Sequence, residues 1–208
     1  MRLFIAADLD AGARAAVAAA VTRVREVSER ERTGSTRGVG WVEARSLHLT
    51  LHFLGEIDEA RLPVLRDALA PAIELDVPRI GLAGWGVFPP RGPARVIWIG
   101  VTAGAGTLAS AHALLGERLR SAGLTPDARP FAAHLTVGRV KVPLGLHWNR
   151  LTAAAPSSPV AEWPLRACTL FQSHLSPAGA TYRALLSIPF IGASGREAAD
   201  SAEVQRGQ

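Results

Sequence analysis

The chain has 208 residues, 48% hydrophobic and 20% charged, which is enough apolar content for a packed core and too little charge for a disordered chain. The net charge is +5 and 22 of the 23 basic residues are arginine, a balance compatible with a polyanionic partner because the guanidinium fork pairs with phosphate oxygens. A single cysteine, Cys168, excludes an intrachain disulfide and a thiolate zinc site, and no run reaches the roughly 18–20 apolar residues of a membrane span.

The opening RLFIAAD (2–8) reads as a short buried strand, too short an apolar run for a signal peptide. Asp10 is placed to cap a helix over 11–32, in which Val17, Val21, Val24 and Val27 recur at helical spacing. TGSTRG (33–38) is a loop. Trp41 and Val42 begin a short strand, and 47–54 form a longer one stopped by Gly55. Asp58 can cap a second helix over 59–70, limited by Pro71. A strand follows at 75–83, and GWGVFPPRGPAR (84–95) reads as a loop from its glycine and proline content. RVIWIGV (95–101) is a strand, and a third helix covers 106–122 with Leu108, Leu115 and Leu119 inward. Residues 132–140 form a strand, the Pro-rich 143–159 a surface loop, and 163–173 and 181–189 two strands joined by the turn LSPAGA. Cys168 falls in the first of these as a small core residue. The order of elements is α+β rather than alternating βαβ. Residues 1–190 are expected to form one domain and 191–208 a disordered polar tail. The expected setting is cytoplasmic, with no membrane association and a monomeric state.

HLTLHFLG (48–55) and HLTVGRV (134–140) carry the chemistry. Residues i and i+2 of a strand share a face, so His48 and Thr50 point one way while Leu47, Leu49 and Leu51 point to the core. His134 and Thr136 repeat the pattern, backed by Leu135 and Val137. Composition alone predicts about 0.04 occurrences of HLT in such a chain, and there are two. Two imidazoles on one cleft suit acid–base chemistry near neutral pH, one accepting a proton from water and the other donating to a leaving oxygen. The threonine hydroxyls can hydrogen-bond the non-bridging oxygens of a phosphate. No serine or cysteine nucleophile and no metal or other cofactor is called for.

These motifs, with RLFIAADL, WVEARSLHLTLHFLGEI, GVFPPRGPARVIWIGV, RPFAAHLTVGRV and LFQSHLSPAGATYRAL in that order, resemble the 2H phosphoesterases, named for two His-x-Thr motifs. Within them the chain is most similar to bacterial LigT-like RNA 2′,3′-cyclic phosphodiesterases, over roughly residues 2–190. The resemblance implies a bilobal α+β fold: two antiparallel β-sheets with outer helices, related by a pseudo-two-fold axis around a central cleft. It implies RNA ending in a 2′,3′-cyclic phosphate as the partner, metal-independent hydrolysis to a 2′-phosphomonoester, and in some relatives 2′-5′ joining of RNA ends. By the same resemblance His48 is the proton donor and His134 the acceptor, with Thr50 and Thr136 on the phosphate. The family often has Lys or Arg where this chain has His52 and Arg where it has His174.

Simple alternation puts His52 on the His48 face and Arg139 opposite Thr136. His52, Phe88, Arg91, Arg139 and Tyr182 are candidates for gripping the RNA, by stacking or by backbone contact. Trp85 and Arg95 are weaker ones, and His112 and His147 read as structural or exposed. Three other readings stay open. One keeps the chemistry on a different cyclic phosphate or a 2′-5′ oligonucleotide. Another is a non-catalytic RNA-end binder. The third is a metallohydrolase built on His48 and His52, which lacks a third ligand at suitable spacing.

Overall fold

The computed structural model describes residues 1–30, 38–127, 129–141, 159–176 and 179–192, the side chains of 27–30 excepted. The apolar run at the start becomes β1 (Arg2–Asp8), whose five inner residues are all buried. A strand buried on both faces needs neighbours on both edges, and β1 lies antiparallel between β3 (His48–Glu56) and β8 (Ala167–Ser176). From there the strands continue to both sides. The full order is β7 (Ala161–Pro164), β4 (Arg79–Phe88), β5 (Val96–Ala103), β6 (His134–Val140), β3, β1, β8 and β9 (Gly179–Pro189), with β2 (Val39–Trp41) paired to β6.

The α+β class holds, and the antiparallel sheet is strongly curled. The two expected sheets are joined rather than separate, through one registered pair between β3 and β6, Leu49 with Leu135. Beyond that pair β6 turns to β2, with Val39 opposite Val140 and Trp41 opposite Gly138. The seam is therefore narrow, and it runs through both His-x-Thr motifs.

Among the described residues, three α-helices cover the core face. Asp10 caps α1 (Ala11–Arg30), its Oδ1 accepting from the Ala13 amide at 2.7 Å. Val17, Val21 and Val24 of this helix are buried, while the Val27 side chain lies outside the described set. Asp58 caps a 3-10 turn, Glu59–Arg61, through the Ala60 amide at 3.0 Å. This turn leads into α2 (Leu62–Leu69). On α3 (Ala105–Ser121), Leu108, Leu115 and Leu119 are fully buried, which contributes on the order of 5–8 kcal/mol in transfer free energy. α1 packs on β7, and α3 packs on β3 and α2. Cys168 is buried on β8, and burial pushes its thiol up to about 12, as its place in the core predicts. Among the described residues no helix is long and apolar enough to cross a membrane.

Two expectations need correction. The Gly/Pro-rich segment is not all loop, because β4 runs through it to Phe88. Its glycines serve close approach: a Cβ at Gly86 would fall 2.1 Å from the Trp98 ring. Gly84, at φ 71°, sits where the β4–β5 register shifts. The strand expected over 163–173 is two strands, β7 on β4 and β8 on β1. The chain breaks after Pro164, and the Leu165 amide bonds Pro78 O at 2.9 Å. The expected tail beyond 192 and most of the 143–159 loop lie outside the described residues, as does His147.

Candidate active site

The Leu49–Leu135 pair sets the geometry of the cleft. In an antiparallel ladder it puts His48 across from Thr136 and His134 across from Thr50, all four on the face opposite the leucines. The two imidazoles then occupy diagonal corners, on residues about 7–8 Å apart with their Cβ atoms somewhat closer. All four side chains are half-buried, and among the described residues neither threonine hydroxyl is engaged in a hydrogen bond, so both are available to a ligand.

Each imidazole is aimed by the backbone just before its strand. His48 Nδ1 lies 2.8 Å from Ser46 O, and His134 Nδ1 lies 2.7 Å from Ala132 O. A carbonyl only accepts, so in both rings Nδ1 carries the proton and donates. Nε2 is left as the nitrogen that gains or loses a proton. Arg14 steadies the backbone just before His48. Its guanidinium bonds Leu47 O at 3.1 Å, Leu9 O at 3.3 Å, Ala44 O, and the Asp8 carboxylate. Asp8 is the β1 partner of His48.

The His48 pKa is lowered from its ordinary 6.5. Burial is the largest cause, and the Arg139 and Arg14 charges add to it against the opposing Ser46 carbonyl and Asp8. Phe4 lies 4.9 Å from His48 between ring centroids and Tyr182 lies 5.2 Å away edge-on, with Phe171 stacked on Phe4 at 5.3 Å. The Tyr182 phenol is pushed up by burial, and the Arg139 and Arg2 charges oppose the shift. On the other side His134 has Phe88 edge-on at 5.0 Å and Trp98 at 6.4 Å. Rings flanking both imidazoles exclude water and strengthen any charge interaction made there.

Two expectations about faces are reversed, both by a bulge one residue after the threonine. On β3, Ala6 pairs Thr50 while Ile5 pairs His52, so Leu51 is the extra residue. His52 therefore turns to the helix side, where it is 2% exposed. Its Nε2 donates to His112 O at 2.8 Å, and its ring stacks on His112 at 4.0 Å. A grip by His52 on RNA in the cleft, and a metal held jointly by His48 and His52, are both incompatible with this placement. On β6, Trp98 pairs Thr136 while Ile97 pairs Gly138, making Val137 the extra residue. The same slip brings Arg139 onto the cleft face, where its charge acts on His48 and Tyr182.

Among the other candidates, Phe88 and Tyr182 reach the imidazoles. Arg91 and Arg95 are exposed at the turn after β4, and Trp85 packs against the core. His174 is exposed near the end of β8. Sequence reasoning missed Phe4, Trp98 and Phe171, which line the cleft, and Phe53, which the β3 bulge turns onto the same face. Trp98 had a signal, its alternation with Ile97 and Ile99, but Phe4 sits in an unbroken apolar run that gives none. Among the described residues no group of three or more His, Cys, Asp or Glu side chains is placed to hold a metal ion.

Comparison with known proteins gives a consistent assignment. The family model for LigT like phosphoesterases matches the chain twice in succession, over residues 14–98 and 99–182, each match holding one His-x-Thr motif. The RNA 2′,3′-cyclic phosphodiesterase of Archaeoglobus fulgidus is 35% identical over 185 residues, covering 89% of this chain and 98% of that protein. The Thermus thermophilus protein of the same name is 35% identical over 212 residues, covering 96% and 95%. The crystal structure of TT0787 from Thermus thermophilus superposes with a TM-score of 0.72 at 30% identity, covering 93% of this chain and 100% of that one. Escherichia coli LigT complexed with 3′-AMP shares the fold, with a TM-score of 0.67 at 22% identity and coverage of 91% and 97%. The chain is an enzyme of the LigT-like phosphoesterase family.

Proposed function

We propose that the protein hydrolyses the 2′,3′-cyclic phosphate at an RNA 3′ end to a 2′-phosphomonoester, with His48 and His134 as an acid–base pair. The observation that carries this reading is the diagonal pair of imidazoles across the Leu49–Leu135 seam, each with Nδ1 donating to a carbonyl two residues earlier. The names of the relatives over nearly the whole chain support the substrate class.

The cyclic phosphate sits over the seam, its non-bridging oxygens accepting from the Thr50 and Thr136 hydroxyls. His134 Nε2 takes a proton from water as the water oxygen bonds to phosphorus. The bond to the 3′ oxygen breaks on the opposite side, and His48 Nε2 supplies the proton that oxygen needs, leaving phosphate on the 2′ oxygen. Proton transfer back between the two imidazoles through solvent resets the pair. Burial, with the Arg139 and Arg14 charges, lowers the His48 pKa in the free protein and so disfavours its acid form; the arriving anionic phosphate supplies the missing counter-charge and restores that form. Arg139 on the same face adds a cation for the phosphate. An RNA 5′-hydroxyl in place of water would give a 2′-5′ linkage by the same displacement.

The test is an oligoribonucleotide ending in a 2′,3′-cyclic phosphate, incubated with purified protein in EDTA. The expected product carries a 2′-phosphate. Absence of turnover, or a 3′-phosphate product, overturns the reading or the assignment of the leaving oxygen respectively.

A further inference from the structure

The cleft face of β1 continues past the catalytic residues to its first residue, Arg2. Phe4 lies against His48 and Tyr182, and by alternation Arg2 shares that face. Arg2 is exposed, and its charge reaches Tyr182. It makes no ion pair among the described residues. Glu56, its register partner, is instead 3.5 Å from the Met1 ammonium. Arg2 opens onto a pocket of about 270 Å³ lined also by Met1, Glu56, Gln172, Ser173, His174 and Leu175, in which the Met1 ammonium offsets the Glu56 carboxylate. Between this pocket and the catalytic seam stands Phe53, opposite Phe4 in register and 54% exposed. A large apolar ring left open in a cleft is a platform for a base.

Distance decides what such an arginine can touch. Ala6 pairs Thr50, and Arg2 is four residues further along the strand, about 13 Å at the strand rise. A cyclic mononucleotide has one phosphorus centre, and that one is at the seam. An anion reaching Arg2 must therefore belong to the chain upstream of the terminus. We infer that Arg2 and its pocket form a subsite for a backbone phosphate of the RNA strand, reached across Phe53, so that the enzyme distinguishes a strand end from a free cyclic nucleotide. The inference rests on the activity proposed above.

The experiment compares a short oligoribonucleotide ending in a 2′,3′-cyclic phosphate with adenosine 2′,3′-cyclic monophosphate, which has no second phosphate. The ratio of kcat/KM for the two is measured for the wild type, Arg2→Ala and Arg66→Ala. Arg66 is exposed on α2, on the helix side of the sheet, so Arg66→Ala removes the same charge far from the cleft. The wild type is expected to favour the oligonucleotide. Arg2→Ala is expected to lower that preference about fivefold through KM, and Arg66→Ala to leave it in place. For the oligonucleotide, log KM against log salt should become shallower by about 0.7 in Arg2→Ala, the loss of one single-strand phosphate contact. An unchanged ratio and slope in Arg2→Ala, with the wild type active on both substrates, overturns the subsite and leaves the activity standing. A wild type inactive on both overturns the activity first.

Discussion

The imidazole of His52 lies parallel to that of His112, with centroids 4.0 Å apart and planes at 15°, on the face of β3 that turns away from His48. Phe131 extends the stack at 4.5 Å from His112. Burial, the largest cause, lowers the pKa of both rings, that of His112 to about 4. His52 on one side and the opposing Asp127 charge on the other also act on His112, and Arg120 acts on His52. A histidine held neutral in the folded state and free to protonate when unfolded makes folding weaken as pH falls. For His112 the loss begins near 6.5 and continues to about 4. His112 is not fully buried, so after allowance for solvent screening its share is about 1 kcal/mol, or roughly 3 °C in Tm. Melting curves between pH 7.5 and 4.5 should show this decline, and His112→Phe, which keeps a ring in the stack, should make it shallower, the share of the buried His52 remaining.

His48→Ala and His134→Ala should each lower turnover by about 10²-fold or more, the usual worth of one acid–base group. Thr50→Ala and Thr136→Ala should be milder, since each removes one hydroxyl donor to a phosphate oxygen and leaves both proton-transfer groups in place. Full activity in either histidine variant would remove that residue from the chemistry.

The pH profile separates the two roles. An acid must be protonated to act, so if His48 donates, kcat/KM falls as pH rises through the free-enzyme pKa of His48, which lies below 6.5. In kcat, measured with the anionic substrate bound, that limb should move to higher pH. If His48 were the base, the lowered pKa would appear on the acid limb instead.

Burial is the main cause of the lowered His48 pKa, and the Arg139 charge adds to it. Arg139→Ala should therefore move the alkaline limb of kcat/KM to higher pH while KM rises severalfold. A profile that stays in place would separate Arg139 from the cleft.

Gly86 makes room for Trp98, and a methyl there meets the ring at 2.1 Å. Gly86→Ala should cost about 1–3 kcal/mol in stability through overpacking and disturb the ring beside His134. Denaturant unfolding reads the first effect and kcat the second. Stability equal to the wild type would show that Trp98 has room to move.

Period-two reasoning placed His48 with Thr50 and His134 with Thr136 correctly, because the strands are regular through those residues. It failed one residue later in both motifs. A bulge adds a residue without any compositional mark, and after it every side chain changes face. His52 and Arg139 were thereby exchanged between core and cleft, and Phe53, which the bulge turns onto the cleft face, was not singled out. Gly84 and Gly86 looked like loop punctuation because a glycine that admits a tryptophan ring and one that bends a chain are the same letter. The pairing of distant strands was hidden for a different reason. That β3 meets β6 at a single residue pair depends on how the whole sheet curls, which no local window reports.

The tether between each Nδ1 and the carbonyl two positions earlier has a broader consequence. Much of the orientation of each Nε2 is fixed inside a tripeptide, Ser46 to His48 and again Ala132 to His134, with Arg14 of α1 bracing the backbone before the first. The remainder of the molecule has only to bring two already-aimed tripeptides to opposite banks of one narrow joint. Substitutions in the helices or outer strands that leave Arg14 in place are thus free to alter the surroundings of the cleft while the aim of each Nε2 stays as it was.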